Sequence, residues 1–416
     1  MNEKLKQSQG NVVTGDRFWD REKDLELFIE KIDEGAHILL VAQRRMGKTS
    51  LMAEVARRLN SKYIPLFVDL QKARSGADTI TEMGVCVRPY APLWGKTKEL
   101  FTNIIDKVIE KVDRIQAGEV AIVLRAGISE GNWTDKGDQL FDILSNSDKP
   151  VVIFMDEVPI LVNYLLKGMD YKVTAERKIK ANEFMSWLRK NSIKYQGKIR
   201  IVVSGSIGLE PVLRQAGLSA TVNNFVPFEL KAWDETTAKK CLTALANEYG
   251  VKFEEGATSK VVEKLGSCIP HHVQMFFGHV YDRCKRMSNM MCTVKDVEEV
   301  YNSEMLGVRG HAELTHYEER LERVLGLELA PFAFDMLTEA AVEGLLSKEA
   351  IAAFQKEYTQ SVTNVAEAQR EILQVLEHDG YLMKSRGGFV FESRLLRDWW
   401  KNRHEAFFTS ILKRRV

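Results

Sequence analysis

A short polar loop follows an apolar run near the N-terminus and ends in Gly47-Lys48-Thr49. The run from His37 to Val41 has the composition of a buried strand, and a helical pattern follows the loop. This strand, loop and helix order is the context in which backbone N–H groups surround a phosphate and the positive end of the helix faces it. We therefore expect Lys48 to reach the β- and γ-phosphates of a nucleotide and the Thr49 hydroxyl to ligate Mg²⁺.

One position of this loop departs from the pattern G-x-x-x-x-G-K-[ST], because Ala42 stands where the first Gly belongs. Alanine is acceptable there if its φ angle is negative. Gly47 has no Cβ and lets the backbone approach a phosphate closely. The alternative is a chance Gly-Lys-Thr in a solvated loop, which the agreement of strand, loop and helix disfavours. The predicted nucleotide-binding residues of the loop are Ala42, Gln43, Arg44, Arg45, Met46, Gly47, Lys48, Thr49 and Ser50.

Two adjacent carboxylates end a second apolar run, which begins at Val151. In P-loop ATPases the first acid of such a pair, here Asp156, holds the Mg²⁺ shell. The second acid, Glu157, is placed to polarise the attacking water as a general base. A strand that merely ends in acids is a common alternative. The phosphate-loop pattern upstream favours the catalytic interpretation.

A third apolar run, from Ile199 to Val203, ends in Ser204-Gly205-Ser206. If this run forms a strand beside the one that precedes the phosphate loop, Ser204 or Ser206 would lie beside the γ-phosphate and sense the nucleotide state. Ordinary strand-end hydrogen bonding is the alternative, and the sequence leaves both open.

An aromatic pair, Phe18 and Trp19, precedes the first helical pattern. Either ring could offer a face to an adenine base. Simple packing of the helix against the strand is the alternative, and the sequence does not decide between the two.

The bulk properties are those of an ordinary globular chain. It has 416 residues, 45% hydrophobic and 28% charged residues, and a net charge of +1, which gives no global electrostatic case for nucleic-acid binding. The five cysteines include no C-x-x-C pair, so we expect a reducing compartment rather than a disulfide scaffold. The polar N-terminus does not resemble a signal peptide, and no apolar run approaches membrane-spanning length. A cytoplasmic location is expected.

The order of patterns predicts an α/β fold. Up to residue 231, buried strands alternate with helical segments, which favours an open parallel sheet that binds ligands beyond the carboxyl ends of its strands. Connections 71–92 and 117–136 are expected to be irregular, and Leu93 to Ile115 a long amphipathic helix. We expect four parts: a loose arm (1–12), a P-loop core (13–231), a helical lid (232–306) and a third unit (307–416).

The third unit is expected to begin with a charged linker over 307–330 and to continue as three helices and a hairpin with a Gly387-Gly388 turn. This order suggests a winged helix. Its third helix carries acidic residues such as Glu367 and Glu371, where DNA binding needs positive charge. A contact with a protein partner is therefore favoured over DNA, although Lys384 and Arg386 could touch a phosphate backbone.

The predicted lid carries several metal-ligating residue types. These are Cys268, His271, His272, His279 and Cys284. Their spacing matches no zinc module, and no C-x-x-C pair anchors it. Core cysteines and a His pair at a helix start are the favoured interpretation.

Taken together, these motifs resemble the archaeal-type ATPases, a branch of the AAA+/STAND P-loop ATPases, over nearly the whole chain. The matching segments are Phe18 with Asp20-Arg21-Glu22-Lys23-Asp24-Leu25, Gln43 to Leu51, Ile153 to Glu157, Val203 to Ser206, the Gly266…Pro270 break, and Phe389-Val390-Phe391…Leu395-Leu396-Arg397-Asp398-Trp399.

The resemblance implies an ATPase core with ATP and Mg²⁺ as cofactors, a helical lid and a C-terminal winged helix. It places Phe18 and Arg21 among the nucleotide-binding residues. In related ATPases an Arg of a neighbouring subunit can complete the site, which would make the protein a homo-oligomer. Arg214 is the candidate for this Arg, with Arg200 as the alternative.

Two function hypotheses follow. The first is an ATP-hydrolysing switch or remodeller that acts on a partner macromolecule, with Lys48, Glu157, Ser204 and Arg214 as catalytic residues. The second is a nucleotide-gated scaffold with little turnover that recruits a protein or DNA in signalling or defence.

Overall fold

The computed structural model describes residues 5–8, 10–102 and 117–414, and within them the chain divides into two compact units. The sheet unit consists of Glu22–Val41 and Leu51–Leu230. The C-terminal unit runs from Lys231 onward and also includes the residues up to Arg21 and the loop segment Ala42–Ser50.

Five parallel strands form the sheet of the sheet unit, as the sequence predicts. They are β1 (His37–Val41), β2 (Ile64–Asp69), β3 (Val151–Asp156), β4 (Ile199–Val203) and β5 (Phe225–Glu229). Their spatial order is β2-β3-β4-β1-β5. All five residues of β4 and the first five of β3 are buried, which is the pattern of central strands in a parallel sheet covered on both faces.

Nine α-helices accompany these strands within the described residues. They are α1 (Glu22–Asp33), α2 (Lys48–Leu59), α3 (Gly76–Cys86), α4 (Ala91–Thr102), α5 (Ala117–Ala126), α6 (Trp133–Ser145), α7 (Val158–Lys167), α8 (Ala175–Lys194) and α9 (Leu209–Arg214). The first three residues of α2 belong to the loop segment of the C-terminal unit.

The prediction of irregular connections at 71–92 and 117–136 is wrong, because both segments are largely helical. The Ser75 side chain caps α3 by accepting a hydrogen bond from the backbone N–H of Asp78. A Cβ at Gly76 would lie 2.5 Å from the Trp133 ring, so this glycine allows close packing of the helix against Trp133. The low helix propensity of glycine is one reason why the sequence did not predict this helix. The predicted helix from Leu93 is present as α4, whereas its continuation over 103–115 lies outside the described residues.

The first part of the C-terminal unit is helical, with α10 (Glu235–Tyr249), α11 (Ala257–Leu265), α12 (Pro270–Arg286), α13 (Val294–Val300) and a short parallel pair, β6 (Lys252–Phe253) and β7 (Met291–Cys292). Asp234 caps α10 by accepting from the N–H of Thr237, which is the helix start that the sequence indicates. The Gly266…Pro270 break is also present, since α11 ends at Leu265 and α12 begins at Pro270.

The prediction of a charged linker at 307–330 is wrong. Two helices, α14 (Val308–Leu314) and α15 (His316–Glu343), cover nearly all of this segment. A kink at Gly326, with φ of 78°, interrupts α15. The charged residues are part of the fold: Glu318 is buried and accepts hydrogen bonds from Arg403 and His404. The charged residues of this segment suggested a linker, although the helix that carries them is partly buried.

The rest of the chain contains the helices and the hairpin that the winged-helix prediction requires. They are α16 (Lys348–Glu357), α17 (Val365–His378), the hairpin β9 (Leu382–Ser385) and β10 (Gly388–Phe391), and α18 (Arg394–His404). A short strand, β8 (Leu346–Ser347), pairs with β10 and gives the sheet order β8-β10-β9. Gly387, with φ of 100°, makes the hairpin turn. The winged-helix assignment itself stays a prediction.

Residues 5–8 of the expected loose arm contact helices α10 and α12. Leu5 is fully buried. The backbone N–H of Gln7 donates to the Tyr249 hydroxyl at 3.1 Å, and the N–H of Ser8 donates to the Gln274 side chain at 2.8 Å. Across the described ranges, no helix combines the length and the apolar character needed to cross a membrane.

Candidate phosphate-binding site

The loop between β1 and α2 adopts left-handed backbone conformations at Arg45 (φ 66°) and Gly47 (φ 90°). Ala42 is not among the described residues with positive φ, so the condition for an alanine at this position is met. A Cβ added at Gly47 would have no other atom within 4 Å, so the backbone there faces open space. The loop thus has room for a ligand at the position where the motif requires it.

Lys48 is buried, and its ammonium group lies within the curve of the loop. It is 8% exposed, and its Nζ donates hydrogen bonds to the carbonyl oxygens of Ala42 and Gln43, each at 2.9 Å. The positive charge is therefore held against the loop backbone, where a phosphate would replace carbonyl contacts by stronger charge-assisted ones. Thr49 is exposed in the first turn of α2, next to this lysine.

Arg21 positions the loop from the N-terminal side. It is 9% exposed, and its guanidinium donates to the carbonyl of Met46 at 3.2 Å and to the carbonyl of Lys231 at 2.9 Å. A nucleotide contact was predicted for Arg21. In the structure its guanidinium donates hydrogen bonds to two backbone carbonyls, one of which belongs to the loop, and this holds the loop backbone in place.

The aromatic pair lies just before α1. Phe18 is half-buried and ends a 3₁₀ turn, Gly15–Arg17. The indole N–H of Trp19 is buried and makes no hydrogen bond with the described residues. A buried donor of this kind is costly unless something satisfies it.

Ser204 and Asp156 meet across two adjacent strands of the sheet unit. β3 and β4 pair in parallel with Met155 opposite Val203, and the backbone N–H of Ser204 donates to the carbonyl of Met155 at 2.9 Å. The Ser204 hydroxyl then donates a short hydrogen bond to Oδ1 of Asp156. β4 also pairs with β1, with Leu39 opposite Val203. The prediction for Ser204 required these two strands to be neighbours, and that condition is confirmed.

Glu157 follows directly in a left-handed conformation (φ 61°) at the start of α7. Its Oε2 accepts two hydrogen bonds from Ser206, from the N–H at 2.8 Å and from the hydroxyl at 2.9 Å. Gly205 allows Pro159 to pack closely against this segment, because a Cβ at Gly205 would lie 2.5 Å from Cδ of Pro159. The predicted base is therefore held by the second serine of the Ser-Gly-Ser segment, a pairing that the sequence did not indicate.

The two arginines considered for completing a neighbouring site differ in burial. Arg200 is 7% exposed, and its guanidinium donates to the carbonyls of Ile32 and Gly197 of its own chain, which disfavours it as the residue that completes a neighbouring site. Arg214 is exposed on α9 and pairs with Glu210 one turn away. Arg214 therefore stays the candidate.

Acidic residues of the C-terminal unit bind the side chains of the loop, which sequence reasoning missed because no motif marks them. Nε2 of Gln43 donates to Oε2 of Glu392 at 2.6 Å. Arg45 pairs with Glu313 at 3.2 Å, and His271 lies 3.3 Å from the same Glu313 oxygen. Burial, and next the positive charge of Arg45, lower the pKa of His271 to about 4.

No group of three or more His, Cys, Asp or Glu side chains in the described part of the chain could hold a metal ion. All five cysteines are free thiols. Burial lowers the pKa of His272 to about 3, as expected for a neutral histidine in a core.

Comparison with solved structures identifies the fold. The Walker-type ATPase PABY2304 of Pyrococcus abyssi superposes with a TM-score of 0.60 at 16% identity, covering 96% of this chain and 100% of that one. The ORC2 protein of Aeropyrum pernix, solved in ADPNP-ADP complexes, superposes with a TM-score of 0.54 at 12% identity, covering 92% of each chain.

No protein-family model matches the sequence, and neither does any of the curated proteins compared with it. The structural likeness, at these identities, concerns the fold. It nevertheless extends over almost the full length of both proteins. The chain therefore shares the fold of these two solved structures, in keeping with the parallel α/β fold that the sequence predicted.

Proposed function

We propose that this protein binds ATP with Mg²⁺ and hydrolyses it slowly as a molecular switch. The observation that carries the proposal is Lys48, a buried ammonium enclosed by a phosphate-loop backbone that leaves open space at Gly47. A nucleotide phosphate is the ligand that such an arrangement of backbone amides and a lysine fits best.

A magnesium ion is the second proposed cofactor. Mg²⁺ prefers hard oxygen ligands and usually takes one or two carboxylates together with substrate phosphates. The Thr49 hydroxyl would supply a direct ligand, and Asp156 would hold the outer shell, with Ser204 fixing the orientation of its carboxylate. The nucleotide supplies the reacting phosphoryl group, and the metal neutralises part of its charge.

Glu157 is the proposed general base for the attacking water. Its carboxylate is held by Ser206 through Oε2. A base needs an oxygen oriented toward the nucleophile, so this anchoring fixes the direction of the other carboxylate oxygen. The rings of Phe18 and Trp19 are partly exposed, and one of them is the proposed contact for the adenine base.

Calorimetric titration with ATP and Mg²⁺ tests nucleotide binding directly. We expect a binding heat for the wild type and its loss in Lys48→Ala. Lys62→Ala is the matched control, because Lys62 is an exposed lysine paired with Asp33 on the sheet unit. No heat with the folded wild type in the presence of Mg²⁺ would contradict the proposal.

The second candidate is a nucleotide-gated scaffold with little turnover. It is favoured by the engagement of the loop side chains Gln43 and Arg45 with acidic residues, because a loop held in this way is not set for rapid cycling. Phosphate release measured together with nucleotide affinity separates the candidates. Tight binding with a turnover equal to that of Glu157→Gln would favour the scaffold.

The partners are also proposals. Light scattering with and without a slowly hydrolysed ATP analogue tests whether a second copy completes the site through Arg214. A mobility-shift assay with duplex DNA at low salt tests the C-terminal unit. A salt-dependent shift would favour DNA over the protein partner that we propose.

A further inference from the structure

We propose that Glu392 and Glu313 restrain the phosphate loop, so that ATP binding and release of this restraint are coupled. This inference rests on the proposed nucleotide binding and goes beyond it. It assigns to the loop residues Gln43 and Arg45 a role in coupling, in addition to any phosphate contact.

The first contact joins Gln43 to the chain around the β9–β10 hairpin. Gln43 Nε2 donates to Glu392, the residue after β10, at 2.6 Å. Gly380, two residues before β9, lies against the same side chain, and a Cβ at this position would be 2.1 Å from Cδ of Gln43. The glutamine amide is thus enclosed between two segments far along the chain.

The second contact joins Arg45 to α14. Its guanidinium lies 3.2 Å from Oε2 of Glu313, while His271 at the start of α12 approaches the same oxygen. Arg45 adopts a left-handed conformation (φ 66°) that is uncommon for a non-glycine residue. A pairing partner that holds the guanidinium in place helps to maintain such a conformation.

The segment before β9, which carries Gly380, is itself anchored to another helix. The Tyr381 hydroxyl donates to the carbonyl of Tyr317 at 2.7 Å, which ties the segment before β9 to α15. The segment that encloses the Gln43 side chain is therefore held in place by a hydrogen bond of its own.

Nucleotide phosphates would compete with this arrangement. A phosphate is a stronger ligand for Arg45 than an exposed carboxylate, and two glutamates close to the loop repel the charge of ATP. By thermodynamic linkage, any restraint that weakens ATP binding is itself weakened by ATP to the same extent. Removing either contact should therefore raise ATP affinity.

The experiment combines three variants with one control. Glu313→Gln and Glu392→Ala remove the acids, and Gln43→Ala removes one contact without changing charge. Glu367→Gln is the control, because Glu367 is an exposed acid of α17. Calorimetry with ATP and Mg²⁺ should give about two- to fivefold tighter binding for Glu313→Gln and roughly two- to tenfold for Glu392→Ala and Gln43→Ala. The control should match the wild type.

Hydrogen exchange provides the reciprocal measurement. In the wild type, a slowly hydrolysed ATP analogue should speed amide exchange over 380–392, and the three variants should already show faster exchange without nucleotide. Variants that bind ATP no more tightly than the wild type would overturn the inference and leave the proposed function standing. Tighter binding of the two acid variants alone, with unchanged exchange, would reduce the effect to charge repulsion and also overturn it. A wild type that binds no nucleotide would overturn the proposed function itself.

Discussion

The Ser204 hydroxyl donates a hydrogen bond to Oδ1 of Asp156, across the pairing of β4 with β3. Ser204 is 1% exposed, so this bond orients the carboxylate from the protein side. An acid proposed to hold the magnesium shell is thereby fixed by the strand that also neighbours the phosphate-loop strand.

Replacing Ser204 by Ala should weaken both the fold and the proposed metal-dependent step. Loss of a buried hydrogen bond to a carboxylate should lower the free energy of unfolding by about 1–3 kcal/mol. The apparent affinity for Mg²⁺ in the ATPase assay should fall about 10-fold or more, as for other partners that orient metal ligands. Urea denaturation and a magnesium titration measure the two effects. Ser186→Ala, at an exposed position of α8, is the control.

Replacing Lys48 by Ala should abolish most nucleotide affinity. The lysine would exchange two carbonyl contacts for charge-assisted bonds to phosphate, and a loss of about 1.5–3 kcal/mol corresponds to roughly 10- to 100-fold in Kd. Calorimetry with ATP and Mg²⁺ measures the change. Wild-type affinity in this variant would remove Lys48 from the site.

Glu157→Gln should bind ATP with near wild-type affinity and lower turnover by about 10²- to 10⁴-fold, because the amide cannot accept the proton of the attacking water. Single-turnover phosphate release separates this loss from slow product release. Ser206→Ala should lower turnover less, since it removes the group that orients the carboxylate and leaves the base itself. Equal turnover in the wild type, Glu157→Gln and Ser206→Ala would exclude Glu157 as the base.

Gly205→Ala should destabilise the sheet unit. The added Cβ would meet Cδ of Pro159 at 2.5 Å, and overpacking of this kind costs about 1–3 kcal/mol. Gly95→Ala in α4 is the matched control, because a Cβ there meets no atom within 4 Å and alanine is the better helix former. Thermal denaturation should show a lower Tm for the first variant and an unchanged or higher Tm for the second.

His272 should make stability fall in mild acid. Burial is the main cause that lowers its folded-state pKa to about 3, and the neighbouring His271 and Arg45 add to the shift. The unfolded chain has a His pKa of 6.5 and therefore takes up the proton first as the pH falls. This contribution to stability is complete above pH 6.5 and declines by up to about 1.4 kcal/mol per pH unit below it.

Denaturant unfolding of the wild type and His272→Gln between pH 7 and 4.5 measures the His272 contribution. The variant should lose less stability over this range, because glutamine cannot take up the proton. Parallel pH profiles would show that His272 does not contribute.

The sequence alone determined the chemistry-bearing segments and the strands that carry them. Buried apolar runs ending in Gly-Lys-Thr, Asp-Glu and Ser-Gly-Ser predicted β1, β3 and β4 closely, because strand burial and loop chemistry are local properties. The helices at Gly76–Cys86 and Val308–Leu314 were missed, because small or charged residues there pack against neighbours distant in the chain.

Only the tertiary structure decided the partners of the functional side chains. It showed that Ser206 donates hydrogen bonds to Glu157. It also showed that Gln43 donates to Glu392, which lies 349 positions further along the chain. It also showed Arg200 as a buried structural residue. Local pattern fixes which groups the chain can offer and at which strand end they stand. Which group meets which depends on how distant segments pack, and no spacing along the chain encodes that.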